Sequence, residues 1–136
     1  MTGMEPLGYL LVRVFTCGSW FFGGLHKCFH FNETAKEMGR RGIPLPKPML
    51  VLVLAMEFVG CALLFANYYV WAAALAWTIF LIPATIIYHI PFMTLTPRRT
   101  IDVMQYRNFW KNLSMMGGLI AVMLLDPTRP DWLFGR

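Results

Sequence analysis

Four long apolar stretches, separated by polar segments of very unequal length, organise this chain: Leu7–Phe29, Met49–Ala66, Val70–Pro91 and Phe109–Leu125. Each is close to the ~20 residues that cross a ~30 Å hydrocarbon layer as a helix. The first connection, "HFNETAKEMGRRGIPLPKP", mixes charges with isolated apolar residues. That pattern predicts a segment lying along a membrane surface, with Asn32 capping a short helix that ends at Gly39. "IPLPKP" then excludes regular helix up to the second stretch. The link "NYY" is so short that the second and third stretches must form a tight antiparallel hairpin. Residues 92–108 form a second polar loop.

Composition turns this pattern into a class. Of 136 residues, 57% are hydrophobic and 14% charged, against roughly 25% charged in soluble domains. A soluble fold of this length cannot hide that much apolar surface, so lipid is the expected solvent. The sequence is expected to form one domain over residues 1–136, an all-α integral membrane four-helix bundle with antiparallel spans and an interfacial segment at 30–48.

The chain carries 12 Lys+Arg against 7 Asp+Glu. An excess of cations raises the question of nucleic acid, but no stretch interleaves aromatic and basic residues on a soluble surface, so nucleic acid is not an expected partner. The cations instead follow topology. The two long loops and their edges hold Lys27, Lys36, Arg40, Arg41, Lys47, Arg98, Arg99, Arg107 and Lys111, whereas the termini and "NYY" hold only Arg129 and Arg136. By the positive-inside rule both loops face the cytoplasm, or its mitochondrial equivalent, and both termini the opposite side. A bacterial inner membrane and a mitochondrial inner membrane fit equally. The first stretch is not expected to be a cleaved signal, because "MTGMEP" has no basic residue and no small-x-small site follows.

Small residues recur at four-residue spacing: Ser19/Gly23, Ala62/Ala66, Ala72/Ala76, Ser114/Gly118 and Gly117/Ala121. Such stripes are expected to let helix backbones pack closely in lipid, and Pro83 to kink the third span.

Glu57 stands near the centre of an apolar run, where an unpaired carboxylate costs about 2.5–3.5 kcal/mol. At 1.5 Å per residue it lies roughly 12 Å from the basic side, and its level differs from that of Arg13 by roughly 9 Å. His26, Lys27, His89, Lys111, Asn112 and Ser114 fall on the basic side of Glu57. The expectation is an intramembrane polar cluster with Glu57 at its inner end, closed by Arg13 or by His26, Asn112 and Ser114. Such a cluster serves as a proton or quinone-headgroup site, as a clamp that selects helix partners, or as a contact with another subunit. The pair His26/His30, with His89 at a similar level, is a weak metal site lacking further ligands, so no metal is expected. Cys17 and Cys61 lie at similar depths on adjacent spans and are expected as buried free thiols. No phosphate-binding glycine loop, nucleophile elbow or HExxH is present.

Five segments, in order, carry a resemblance. They are Arg13 with Gly23-Gly24-x-x-Lys27; Gly42-Ile43-Pro44-Leu45-Pro46; Glu57-x-x-Gly60-x-x-Leu63-Leu64-Phe65; Trp71-Ala72-Ala73-Ala74-Leu75; and Asn108-Phe109-Trp110-Lys111-Asn112-Leu113-x3-Gly117-Gly118-Leu119. Over roughly residues 8–125 the chain resembles the DoxX family of four-helix membrane proteins. The resemblance implies that Arg13, Lys27, Glu57, Lys111 and Asn112 occupy the family's recurrent polar positions; His26 and His30 depart from its pattern. It also implies a role within a larger complex, since some DoxX relatives are subunits of thiosulfate:quinone oxidoreductases, others join redox-stress complexes, and more distant members are assembly chaperones. The function expected is therefore a small accessory subunit of a respiratory or quinone-linked membrane complex, without catalytic activity of its own. The alternatives are an oxidoreductase component with a quinone/proton site around Glu57, or a transient assembly chaperone. No covalently bound cofactor is expected; a quinone or structural lipid is the expected ligand class, and lipid and other membrane subunits are the expected partners.

Overall fold

The computed structural model describes residues 5–89 and 103–135. They form five helices and no strand: α1 (Glu5–Phe29), α2 (Phe31–Arg40), α3 (Pro46–Phe65), α4 (Val70–His89) and α5 (Val103–Leu125). Helices α3 and α4 are both long and apolar enough to cross a membrane. At 25 and 23 residues, α1 and α5 have the length, but polar residues dilute their apolar runs.

The boundaries depart from expectation in three places. The helix after α1 is capped at His30, not Asn32, and has no side-chain cap bond. Its first turn is closed by the Thr34 N–H donating to His30 O at 2.9 Å. Helix α3 begins at Pro46, so Pro46 and Pro48 open the second span instead of delaying it. Proline fits there because the first turn needs no N–H donors and favours its fixed φ. The bend falls one residue earlier, at Leu45, whose φ of 48° is left-handed. Finally, α5 starts at Val103, so the last six residues of the expected 92–108 loop are helical. The remainder of that loop, and the end of the third stretch at Pro91, lie outside the described residues.

Contacts define the packing order. Helix α1 packs on α3, α3 on α4, and α4 on α5, while α1 and α5 touch more lightly. Arg13 meets Leu64, Cys17 meets Cys61 and Gly24 faces Glu57, so α1 runs opposite to α3. Trp71 meets Asp126, Thr85 meets Asn112 and His89 meets Gln105, so α4 runs opposite to α5. Buried Trp77, Leu64, Ala74, Leu119 and Met123 form the centre of the core. Amphipathic α2 lays Ala35 and Met38 against Leu50 at the start of α3.

Close approach depends on glycine, but not on the glycines of the α5 stripes. A methyl group built on Gly60 would sit 2.5 Å from Trp77 Cζ2, so the indole occupies the space a side chain would need. That indole stacks on Trp20 at 4.6 Å and donates its N–H to Met56 O at 3.3 Å. Ser114, Gly117, Gly118 and Ala121, expected at a helix joint, face outward instead. A methyl group on Gly117 or Gly118 meets nothing within 4 Å. Ala62 and Ala66 are likewise exposed.

Both ends of α4 are fastened by residues from elsewhere. Asp126, buried just beyond α5, accepts the Trp71 N–H at 2.8 Å, placing a carboxylate at the helix N-terminus. Arg41 donates to Ile87 O and Tyr88 O at 3.2 and 3.3 Å, placing a cation on the last carbonyls. Both charges complement the helix dipole.

Candidate functional site

Glu57 is 1% exposed, and its ion-pair partner is Lys27, whose ammonium contacts Oε1. The local sequence explains how Lys27 gets there. Helical side chains lean toward the N-terminus of their helix, so the Lys27 stem folds back along its own preceding turn. That turn is Gly23-Gly24. The Lys27 Nζ comes within 3.9 Å of where a Gly23 Cβ would be, and a Gly24 Cβ would lie 3.1 Å from Glu57 Oε2. Two glycines thus clear the path of the lysine and bring α1 against the carboxylate. Phe58 closes the same gap, its ring 3.1 Å from that Gly24 position.

Arg13 does not close the cluster. Its Nη1 donates to Leu64 O at 3.3 Å, and its guanidinium lies 4.9 Å from the Tyr9 ring centroid. The register between α1 and α3 explains this: Arg13 is level with Leu64, about two turns beyond Glu57. His26 and Ser114 do not join it either, since both are exposed. The His26 ring stacks on His30 at 4.4 Å, and the His30 Nδ1–H donates to His26 O at 3.0 Å. Asn112 is buried, but its Nδ2 donates to Thr85 Oγ1 at 3.0 Å, a joint between α4 and α5. Lys111 is exposed beside Arg107 and Trp110. His89 bonds Gln105 at 2.7 Å. Among the described residues, no three His, Cys, Asp or Glu side chains come together to hold a metal.

The expected single cluster is therefore resolved into two joints: a charged one between α1 and α3, and a neutral one between α4 and α5. Within the first, Glu57 Oε2 is buried without a hydrogen-bond partner, so half of the carboxylate is uncommitted. Thr85, Asp126 and Arg41 were not singled out in the sequence. "DPT" carried a signal for Asp126, since Asp side chains commonly bond the backbone two residues on; here Oδ1 accepts the Thr128 N–H at 2.8 Å.

Against this geometry, the model of the DoxX family matches residues 8–90. The match covers more than half of the chain and includes every residue of the α1–α3 joint. The chain belongs to the DoxX family. The match gives the Gly23-Gly24-x-x-Lys27 and Glu57-x-x-Gly60 segments of this DoxX protein a physical meaning, as the lysine path, its carboxylate and the indole seat. The Lys111–Leu119 segment lies beyond the matched residues. Comparisons with curated proteins and with solved structures gave no match. Family membership and two apolar helices make this DoxX chain a membrane protein.

Proposed function

We propose that this chain is a four-span antiparallel unit that works as a small accessory subunit of a larger, quinone-linked or respiratory membrane complex, contributing packing, stability or assembly. The observation that carries the reading is the uncovered stripe Ser114, Gly117, Gly118 and Ala121 on α5. In lipid, small residues in register mark where another helix backbone approaches, and among the described residues no helix covers this stripe. A groove of about 220 Å³ beside it, between Phe15, Ser19 and Trp20 of α1 and Met115 and Gly118 of α5, extends the same face. The orientation follows from charge. Lys36, Arg40, Arg41, Lys47, Arg107 and Lys111 cluster at the end shared by α2, the start of α3 and α5, and the close of α4. The start of α1 and the end of α5 lie at the other end.

One observation favours a second reading. Glu57 Oε2 is orphaned beside an ammonium, and such a pair can hold a quinone headgroup and relay a proton.

Mild detergent extraction, native-gel separation and mass spectrometry test the first reading. Co-migration with a stoichiometric set of oxidoreductase or respiratory subunits is expected. Migration alone or as a small homo-oligomer overturns it, and association only with immature complexes identifies a chaperone. Glu57→Gln separates the second reading: a quinone site loses turnover with assembly intact, whereas a clamp loses assembly.

A further inference from the structure

Arg13 and Cys17, four residues apart on α1, both meet α3, at Leu64 and Cys61. Across that joint stands Cys61. The Cys17 thiol donates to Cys61 O at 3.8 Å, and the Cys61 thiol donates to Cys17 O at 3.7 Å. Both are free, and they are 1% and 3% exposed. A pair of reciprocal bonds between antiparallel helices brings both sulfurs into one gap, with neither side chain directed elsewhere. One turn along α1, Arg13 Nε is a buried donor with no acceptor among the described residues. A buried donor without an acceptor is costly and points to an oxygen ligand.

We propose that Cys17 and Cys61 are a disulfide-forming pair, oxidised by a lipid-borne organic hydroperoxide whose oxygens are received by Arg13. In a chain that lives in lipid, a site this buried is reached from the acyl-chain region, and a hydroperoxide supplies both the two-electron oxidation and acceptor oxygens. One sulfur attacks the terminal oxygen of ROOH. The O–O bond breaks, an S–O bond forms, and the departing alkoxide takes the thiol proton to give ROH and a sulfenic acid. The second thiol then attacks that sulfur; the S–S bond forms, and hydroxide leaves with the second thiol's proton as water. The sum is two thiols plus ROOH giving disulfide, ROH and water. Arg13 lies one turn from Cys17 and is bonded to Leu64 O, one turn from Cys61. The product staples α1 to α3.

The test uses the full chain carrying Cys28→Ser in native membrane vesicles, exposed to cumene hydroperoxide or to hydrogen peroxide. Free thiols are blocked, and the denatured protein is then reduced and relabelled. Cys17 and Cys61 are expected to be protected together, to yield a linked peptide that dithiothreitol releases, and to respond about tenfold faster to the organic oxidant. Cys17→Ser is expected to abolish the linked peptide without changing the protein's yield. Two fully labelled thiols after exposure overturn the pairing. Equal or faster linkage by hydrogen peroxide overturns the lipid-borne oxidant.

Discussion

Two of the helix joints of this protein are closed by a pair of polar side chains with a buried member, and they are built differently. Between α1 and α3 the contact is ionic, Lys27 on Glu57, and it exists because Gly23 and Gly24 make room for it. Between α4 and α5 it is neutral, Asn112 on Thr85, and requires no glycine. A neutral pair in lipid is a modest contribution, because a separated helix finds other partners for its amide. An ionic pair is not modest when cut, because the surviving charge stays buried. The α1–α3 joint therefore specifies its partner by the penalty for being incomplete, and the α4–α5 joint mainly by fit and by the end fastenings of α4.

The largest effect should come from splitting the ion pair. Lys27→Met leaves the Glu57 carboxylate alone and should cost about 3–5 kcal/mol in reversible unfolding in detergent micelles. Lys27→Met with Glu57→Leu should recover most of the loss. A single substitution without cost would remove the contrast between the joints.

Next comes glycine. Gly24→Ala pushes a methyl group against Glu57 and Phe58 and should cost about 1–3 kcal/mol. Gly117→Ala and Gly118→Ala meet open space and should leave the isolated chain within about 0.5 kcal/mol. A Gly117 or Gly118 variant that unfolds as readily as Gly24→Ala would show that the outer stripe supports the fold itself. Asn112→Leu should cost only about 0.6 kcal/mol, and at most about 1.7, in the same measurement.

The smallest effect concerns the exposed counterpart of the buried pair. Glu37 accepts from Arg41 Nε at 2.8 Å, and this hydrogen bond holds its carboxyl below the ordinary value of 4.5. Because the folded pKa is the lower one, the pair's contribution is fully present above pH 4.5 and is lost as pH falls through the depressed value. Amide exchange in α2, corrected for intrinsic rates, should be unchanged between pH 8 and 5 and rise only below that range.

The long helices themselves were legible because long apolar runs have few other solutions, and α3 and α4 are long and apolar enough to cross a membrane. Glu57 was legible as an anomaly of position. Its partner was not, because the estimate used the level of each Cα and a fully extended arginine. The deciding facts were the backward lean of Lys27 and the vacant turn before it. The α5 stripes and Ala62/Ala66 were misplaced for a related reason: small residues mark a close approach without saying to what. Gly60 took its meaning from Trp77, seventeen residues along the chain, and no local pattern connects the two.

The indoles of Trp20 and Trp77 lie 4.6 Å apart at an interplanar angle of 11°. Transition dipoles held that close and that nearly parallel couple, so the pair should give a near-ultraviolet dichroic couplet that neither tryptophan produces alone. Because one indole rides on α1 and the other on α4, this signal reports on the meeting of two helices separated in sequence by the whole of α3. It needs no attached label, and it should vanish when side-chain packing is lost even if the helices persist.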